Sequence, residues 1–198
     1  MRTLYFILTL LLLLSSKLSA QCWQQLAAAG PGFGGAHSAG IRQDGTLWAW
    51  GLNRDGQLGD GTIVNRLVPI QVGSSTDWVF VAAGADATYA IKQNGTLWAW
   101  GKNNHGQLSD GTTTSRSLPA QVLPGTTWLQ VSAGESYFIA QKSDGTLWAC
   151  GYNQNNQLGV NGQSDLYTLT QNSSATDWVS ISCGFRHTIL LKSNNTVW

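Results

Sequence analysis

A fifty-residue repeat limits the possible folds of this protein more tightly than any other feature. The octet DGTLWAWG at 44–51 returns as NGTLWAWG at 94–101 and as DGTLWACG at 144–151, and NNTVW at 194–198 opens it again. The agreement runs on into DGTLWAWGLNRDGQLGDGT at 44–62, NGTLWAWGKNNHGQLSDGT at 94–112 and DGTLWACGYNQNNQLGVNG at 144–162. A second set of anchors keeps the same period: TDWVFVAAG at 76–84, TTWLQVSAG at 126–134 and TDWVSISCG at 176–184. CWQQLAAAG at 22–30 reads as the same element, displaced by a short insertion near Pro31.

Within one period the local signals are those of strands. WVFVAA at 78–83 is apolar and β-prone and stops at Gly84. TYAIKQ at 88–93 leads through Asn94-Gly95 into TLWAW, the pattern of a two-residue hairpin whose type I′ turn needs positive φ at both central residues. LPAQV at 118–122 contains a proline, which cannot donate to a ladder and so belongs on an edge strand. That makes four short strands per period. No segment has a 3.6-residue apolar period, so the expectation is an all-β protein.

A tandem unit of four antiparallel strands is the signature of a β-propeller blade. One blade cannot hide both faces, so neighbours must cover each other, and a large aromatic at a fixed strand position fills the wedge between them. Trp48, Trp98, Trp148, Trp78, Trp128 and Trp178 are expected to pack there rather than to stack on sugars at the surface. Along TLWAWG, Trp48 and Trp50 share one face while Leu47 and Ala49 take the other.

The motifs GTLWAWG, N-x-x-G-Q-L-G-D-G-T and Gly184-Phe185-Arg186-His187-Thr188 resemble repeats of the regulator of chromosome condensation family, over nearly the whole sequence after residue 20. The resemblance implies a seven-bladed propeller, of which residues 21–198 would supply three to four blades. Trp198 aligns with Trp148, inside a strand, so the expectation is an N-terminal fragment of a longer protein.

Residues 1–20, MRTLYFILTLLLLLSSKLSA, read as an export signal: a basic start at Arg2, an apolar run from Leu4 to Leu14 too short to span a bilayer, and small residues before a cleavage point after Ala20. Cys22 stands one residue too late for lipid attachment at that point. Without Arg2 and Lys17 the protein has 9 basic and 10 acidic residues, a formal charge of −1. No clustered lysine and arginine remain, which argues against nucleic acid and anionic membrane as partners, and no membrane insertion is expected once the signal is removed. The localisation expected is secreted or cell-surface. Cys22, Cys150 and Cys183 are an odd set. A Cys150–Cys183 bridge and two buried thiols are equally compatible with their places in the repeat, and no CxxC spacing suggests zinc.

Asp55 and Asp60 beside glycines invite a calcium reading, but the spacing is not that of an EF-hand and the third copy, NQNNQLGVNG, has no acid. No cofactor or metal is expected. His37 and His187 share a register and read as structural residues at strand starts. No serine, cysteine or carboxylate joins a histidine in a catalytic motif, so the protein is not expected to be an enzyme. Variable loop positions are free to contact a ligand where scaffold positions are not. The candidates are Arg54, Asp55, Lys102, Asn104, His105, Tyr152 and Gln154 in one loop set, and Asp86, Glu135, Tyr137, Phe185 and Arg186 in the other. The function expected is a secreted non-catalytic binding module that recognises a protein or extracellular surface ligand. The alternatives are an extracellular enzyme whose catalytic residues lie in further blades and, with less support, the guanine-nucleotide exchange activity implied by the family resemblance.

Overall fold

The computed structural model describes residues 22–30 and 36–198, so the expected export signal at 1–20 lies outside the described residues. Every described element is a strand. The first sheet holds β1 (Trp23–Ala28), β2 (His37–Arg42), β3 (Leu47–Gly51) and β4 (Arg66–Gln71). The second holds β5 (Trp78–Ala83), β6 (Ala87–Lys92), β7 (Leu97–Gly101) and β8 (Arg116–Gln121). The third holds β9 (Trp128–Ala133), β10 (Tyr137–Lys142), β11 (Leu147–Gly151) and β12 (Leu166–Ser173), and β13 (Trp178–Cys183) pairs with β14 (Thr188–Lys192) in a fourth. Each four-stranded sheet is an antiparallel meander, as the repeat requires: three blades of a β-propeller and half of a fourth. The first strands of successive blades lie against one another, which puts them on the inner side of the arc. β4, β8 and β12 form its outer rim, and Pro69 and Pro119 fall there, on edge strands.

The hairpins depart from the type I′ geometry read from Asp-Gly and Asn-Gly. Only the glycine has positive φ, 77° at Gly45, 80° at Gly95 and 88° at Gly145. In the second blade Gly95 N–H donates to the Lys92 carbonyl at 2.8 Å and Lys92 N–H to the Thr96 carbonyl at 3.0 Å, closing a longer loop with a glycine bulge. The preceding residue is held in place by its side chain: Asp44 Oδ1 accepts from Thr46 N at 3.0 Å and Thr46 Oγ1 at 2.6 Å. Those bonds pull the Asp44 carboxyl below its ordinary range.

The core lies between blades. Against the first blade's Ile41, Leu47 and Leu58 pack Val81, Trp78 and Trp100 of the second. Each such aliphatic residue, fully buried, contributes about 1.5–3 kcal/mol. The tryptophans divide into two kinds. Trp78, Trp128 and Trp178 are buried, whereas Trp48, Trp98 and Trp148 are half-buried. The second kind donates its indole N–H to Thr46, Thr96 or Thr146 and lies against a cation at the end of the second strand, with the Arg42 guanidinium 3.7 Å from the Trp48 ring centre. These indoles are therefore part of a cation–π staple as much as of the core.

The loop after each third strand clamps the next blade. Asn53 is buried: its Oδ1 accepts from Leu58 N at 2.9 Å, and its Nδ2 donates to the carbonyls of Thr62 at 3.0 Å and Val64 at 3.1 Å. Asp60 closes the loop by accepting from Thr62 and from Arg66, with the ion pair at 2.6 Å. Burial would raise the Asp60 carboxyl, but Thr62, Arg66 and Asn53 together hold it below its ordinary range, so the carboxylate that suggested calcium is already satisfied. Gly61 N–H then donates to Ser117 O of the second blade at 2.8 Å, and Gly111 repeats this on Tyr167 at 3.0 Å.

Folding in this way buries the carbonyl of each loop glutamine, and each finds a different donor. Gln57 O accepts from Thr88 Oγ1 at 2.7 Å and from Trp100 Nε1 at 3.0 Å. Gln157 O accepts from Thr188 Oγ1 at 2.8 Å. In the middle interface Phe138 stands where the threonine would be, and Tyr89 supplies the bond to Gln107 O at 3.0 Å instead. His37 completes the first string. Thr88 spends its hydrogen on Gln57, so its lone pair faces His37 Nε2 at 2.7 Å and the neutral ring carries its hydrogen on that nitrogen.

Cys150 and Cys183 are thiols, not a bridge. Burial pushes Cys150 up to about 12 and Cys183 up to about 11. Cys150 occupies the place of Trp100, with its single S–H within reach of the carbonyls of Leu166 at 3.0 Å and Gly106 at 3.1 Å. Its small size is matched across the interface. A Cβ on Gly59 would meet the Trp100 indole nitrogen at 2.6 Å, but the corresponding Ser109 faces a cysteine and keeps its side chain, despite a φ of 58°.

Cys150→Trp is therefore expected to destabilise the protein by about 1–3 kcal/mol through overpacking, and Ser109→Gly to recover much of that loss. Urea unfolding of the two single variants and the double variant measures the coupling; purely additive losses would show that the two positions do not meet. His37 yields a pH dependence. Burial lowers its pKa from 6.5 to about 4, against the pull of Asp86 and the Ala85 backbone. The unfolded state binds this proton first, so the contribution is intact above pH 6.5 and lost as the pH falls towards 4, about 3 kcal/mol in all. Unfolding free energies across that window should fall on acidification, and a flat profile would contradict the buried neutral imidazole.

Candidate functional site

The two variable loop sets lie at one end of the blades, because the first strand ends and the second begins where the third ends and the fourth begins. The strand pairing fixes this: Ala83 opposes Thr88, and Ala87 opposes Gly101. All the candidate residues thus belong to one face of the arc, with the DGT and NGT hairpins at the opposite end.

The structure joins several of them into a belt that crosses three blades. His105, in the loop after β7, meets Asp165, in the lead-in to β12, at 2.7 Å through Nδ1. Asp165 Oδ1 also accepts from Asn153 N at 3.1 Å, so the carboxylate is fixed from its own blade. The His105 ring stands edge-on to Tyr152, centres 4.9 Å apart. Beyond Tyr152, the Arg186 guanidinium lies 5.8 Å from its ring centre and 5.1 Å from that of Phe185. Arg186 Nε also donates to Glu135 Oε2 at 3.1 Å. Gln154 is exposed beside Tyr152, with its Oε1 3.5 Å from the phenol oxygen. Towards the arc's inner side, Glu135 and Phe185 border a cavity of about 360 Å³ walled chiefly by small residues such as Ala83 and Ala133.

Other candidates stand apart from the belt. Lys102 pairs with the buried Asp86 at 3.2 Å, which makes Asp86 a support for its own blade's loop and not a contact group. Asn104 is exposed and accepts from Gln107 at 3.3 Å. Arg54 is exposed at the tip of the first blade's loop, and Asp55 N–H donates to Gln57 Oε1 at 2.9 Å. Tyr137 is no loop residue. It begins β10, is buried, and directs its one hydroxyl hydrogen at the His187 carbonyl of the next blade, with the Gly184 carbonyl 3.1 Å away. Burial pushes that phenol well above its ordinary range. His187, in the register of His37, is exposed and in the loop just ahead of β14.

Asp165 escapes a reading that looks only at the variable triplets, because it lies after the loop. The signal was nevertheless present, since positions 65, 115 and 165 read Asn, Ser and Asp. The site is a surface of oriented charges and rings. Among the described residues no group of three His, Cys, Asp or Glu side chains is placed to hold a metal ion.

The profile of the Regulator of chromosome condensation (RCC1) repeat matches residues 44–91, 94–141 and 144–191, and a second profile of that repeat matches 78–107 and 128–157. Among solved structures, human WBSCR16 superposes with a TM-score of 0.74 at 22% identity over 86% of this chain and 44% of that one. Yeast RCC1 (Prp20), in complex with Kap60, superposes with a TM-score of 0.74 at 21% identity over 88% of this chain and 42% of that one. Prp20p of Saccharomyces cerevisiae, a protein studied for its binding to Gsp1p and histones, gives 0.72 and 21% over 88% and 43%. This protein therefore spans less than half the length of the structures it matches. No curated protein sequence matches.

Tyr137→Phe tests the reassignment of that residue. The phenol's hydrogen bond to the next blade's backbone is lost, so stability should fall by about 0.5–1.5 kcal/mol in urea unfolding. An unchanged midpoint would show that the Tyr137 hydroxyl does not hold this blade boundary.

Proposed function

The chain belongs to the RCC1 repeat family, and from that premise we propose that it is an exported, non-catalytic binding module that holds a protein or cell-surface ligand against the loop face of its blades. The observation that carries this reading is the belt from His105 through Tyr152 to Arg186, in which residues from three blades are held in fixed orientation while their outer edges stay exposed. Tyrosine and arginine are the residues that most often dominate the energetics of protein recognition. The solved relatives point the same way, for yeast RCC1 was crystallised with Kap60 and Prp20p was studied with Gsp1p and histones. The RCC1-like propeller is a general protein-binding scaffold, and this belt is where the present protein departs from its own repeat.

The non-catalytic part rests on what surrounds the reactive groups. The contact between His37 and the Thr88 hydroxyl is buried between blades, and burial keeps Cys150 and Cys183 protonated. His105 is oriented by Asp165, and its ring stands edge-on to Tyr152. Export rests on the sequence of residues 1–20 alone.

The test is capture of binding proteins from the medium and envelope of the source cells. The wild-type protein is compared with a Tyr152→Ala/Gln154→Ala/Arg186→Ala variant and with a Ser75→Ala/Asn94→Ala variant at the opposite end. The loop-face variant is expected to lose at least about 2 kcal/mol of binding, and the opposite-end variant to keep its binding. Equal capture by all three, or loss only in the opposite-end variant, would overturn the reading. A precursor that stays uncleaved inside the cell would overturn export.

A further inference from the structure

Two Asn-Gly bonds occur in the sequence, and the fold treats them in opposite ways. Asn94-Gly95 sits in the hairpin between β6 and β7. Its Oδ1 accepts from Thr96 N at 3.1 Å and Thr96 Oγ1 at 2.7 Å, and the Gly95 amide donates to Lys92 O at 2.8 Å. Asn161-Gly162 sits in the loop between β11 and β12, where both residues are exposed. Among the described residues no hydrogen-bond partner faces the Asn161 side chain or the Gly162 amide. A Cβ placed on Gly162 would touch nothing within 4 Å, so the backbone there is open on that side.

An asparagine followed by glycine is prone to attack on its own amide group, because no Cβ shields the glycine nitrogen. We infer that Asn161 is a site of spontaneous deamidation that modifies the candidate binding loop, while the hairpin protects Asn94. The Gly162 backbone nitrogen gives up its proton to solvent base and bonds to Cγ of Asn161. The bond between Cγ and Nδ2 breaks, ammonia leaves with a proton from water, and a cyclic succinimide remains. Water opens that ring at either carbonyl, giving aspartate or isoaspartate, with no oxidant or reductant involved.

Attack at Asn94 first has to free the Gly95 amide from Lys92 O and the side chain from Thr96. The aspartate product fits that turn, since Asp44 and Asp144 already make the same bonds in the sister blades. Isoaspartate does not fit, because the extra backbone carbon breaks the closure between Lys92 and Thr96. At Asn161 nothing has to be broken, and the consequence is larger. Gly162 O accepts from the buried Asn153 Nδ2 at 2.8 Å, and Asn153 N–H donates to Asp165 beside His105. A lengthened backbone at 161 draws the Gly162 carbonyl off Asn153, loosening the loop that carries Tyr152 and Gln154, and either product adds a negative charge there.

The experiment is proteolytic peptide mapping by mass spectrometry after incubation of the folded protein in mildly alkaline buffer, with isoaspartate detected by enzymatic methylation. In the folded protein Asn161 is expected to convert about tenfold or more faster than Asn94, the factor set by breaking one hydrogen bond before attack. In urea the two rates should converge, and Asn161→Gln should abolish the rapid conversion while the fold persists. Equal rates in the folded state, faster conversion at Asn94, or a gap that survives in urea would each overturn the inference. The readout is chemical and needs no binding partner, so it stands or falls separately from the proposed function.

Discussion

The buried carbonyl of the loop glutamine sets the terms on which one blade meets the next. A loop that folds back over the neighbouring sheet must bury its own backbone, and a buried carbonyl without a donor costs roughly 1–3 kcal/mol. The protein meets that demand three times with three arrangements: Thr88 and Trp100 at Gln57, Tyr89 at Gln107, and Thr188 at Gln157. What is held constant is therefore the satisfied acceptor and not the identity of the donor. This is why Phe138 can replace threonine and Cys150 can replace tryptophan without changing the architecture. It also explains the buried Asn53, Asn103 and Asn153, whose side chains make each loop rigid enough to present that carbonyl in a fixed place.

Much of this was legible in the sequence, because period-2 alternation and a tandem period are backbone properties. Strand number, order and the edge position of the proline strands follow from them. The turn type did not follow. Asp-Gly and Asn-Gly suit both a two-residue and a longer bulged hairpin, and the choice fell to Thr46, Thr96 and Thr146, whose hydroxyls hold the preceding side chain in an ordinary φ region. The double role of the tryptophans was hidden for a related reason. Trp48 and Trp78 look alike in a hydrophobic pattern, and the strand-end cation joins the two kinds of indole, since Lys92 lies 4.8 Å from the ring centre of the buried Trp78 and 5.2 Å from that of the half-buried Trp98.

The site was legible by face and not by residue. Variation among copies placed the candidates at one end of the blades, since both variable segments flank the same strand ends. It could not tell a loop residue that contacts solvent from one that supports the next blade. Tyr137 and Asp86 vary as freely as Tyr152 and Lys102, yet one is a buried donor across an interface and the other a buried counter-charge. Asp165 went unnoticed because its partner, His105, is sixty residues away in sequence and one blade away in space.

Repeat and blade are out of phase, which determines how the candidate loop face is held. Each matched segment, such as 44–91, starts in the hairpin of one blade and ends in the second strand of the next. Every repeat is thus a covalent tie across a blade boundary, carrying the Asn-Gly-rich loop of one sheet and the inner strands of the following one. A ligand that touches Tyr152 and Arg186 touches the start and the end of one such segment, 144–191, on opposite sides of a boundary already clamped by Tyr137, Thr188 and the Glu135 ion pair. Little freedom is left between those two side chains for binding to remove. Recognition across a blade boundary therefore costs less ordering entropy here than the same contacts made by two independent loops.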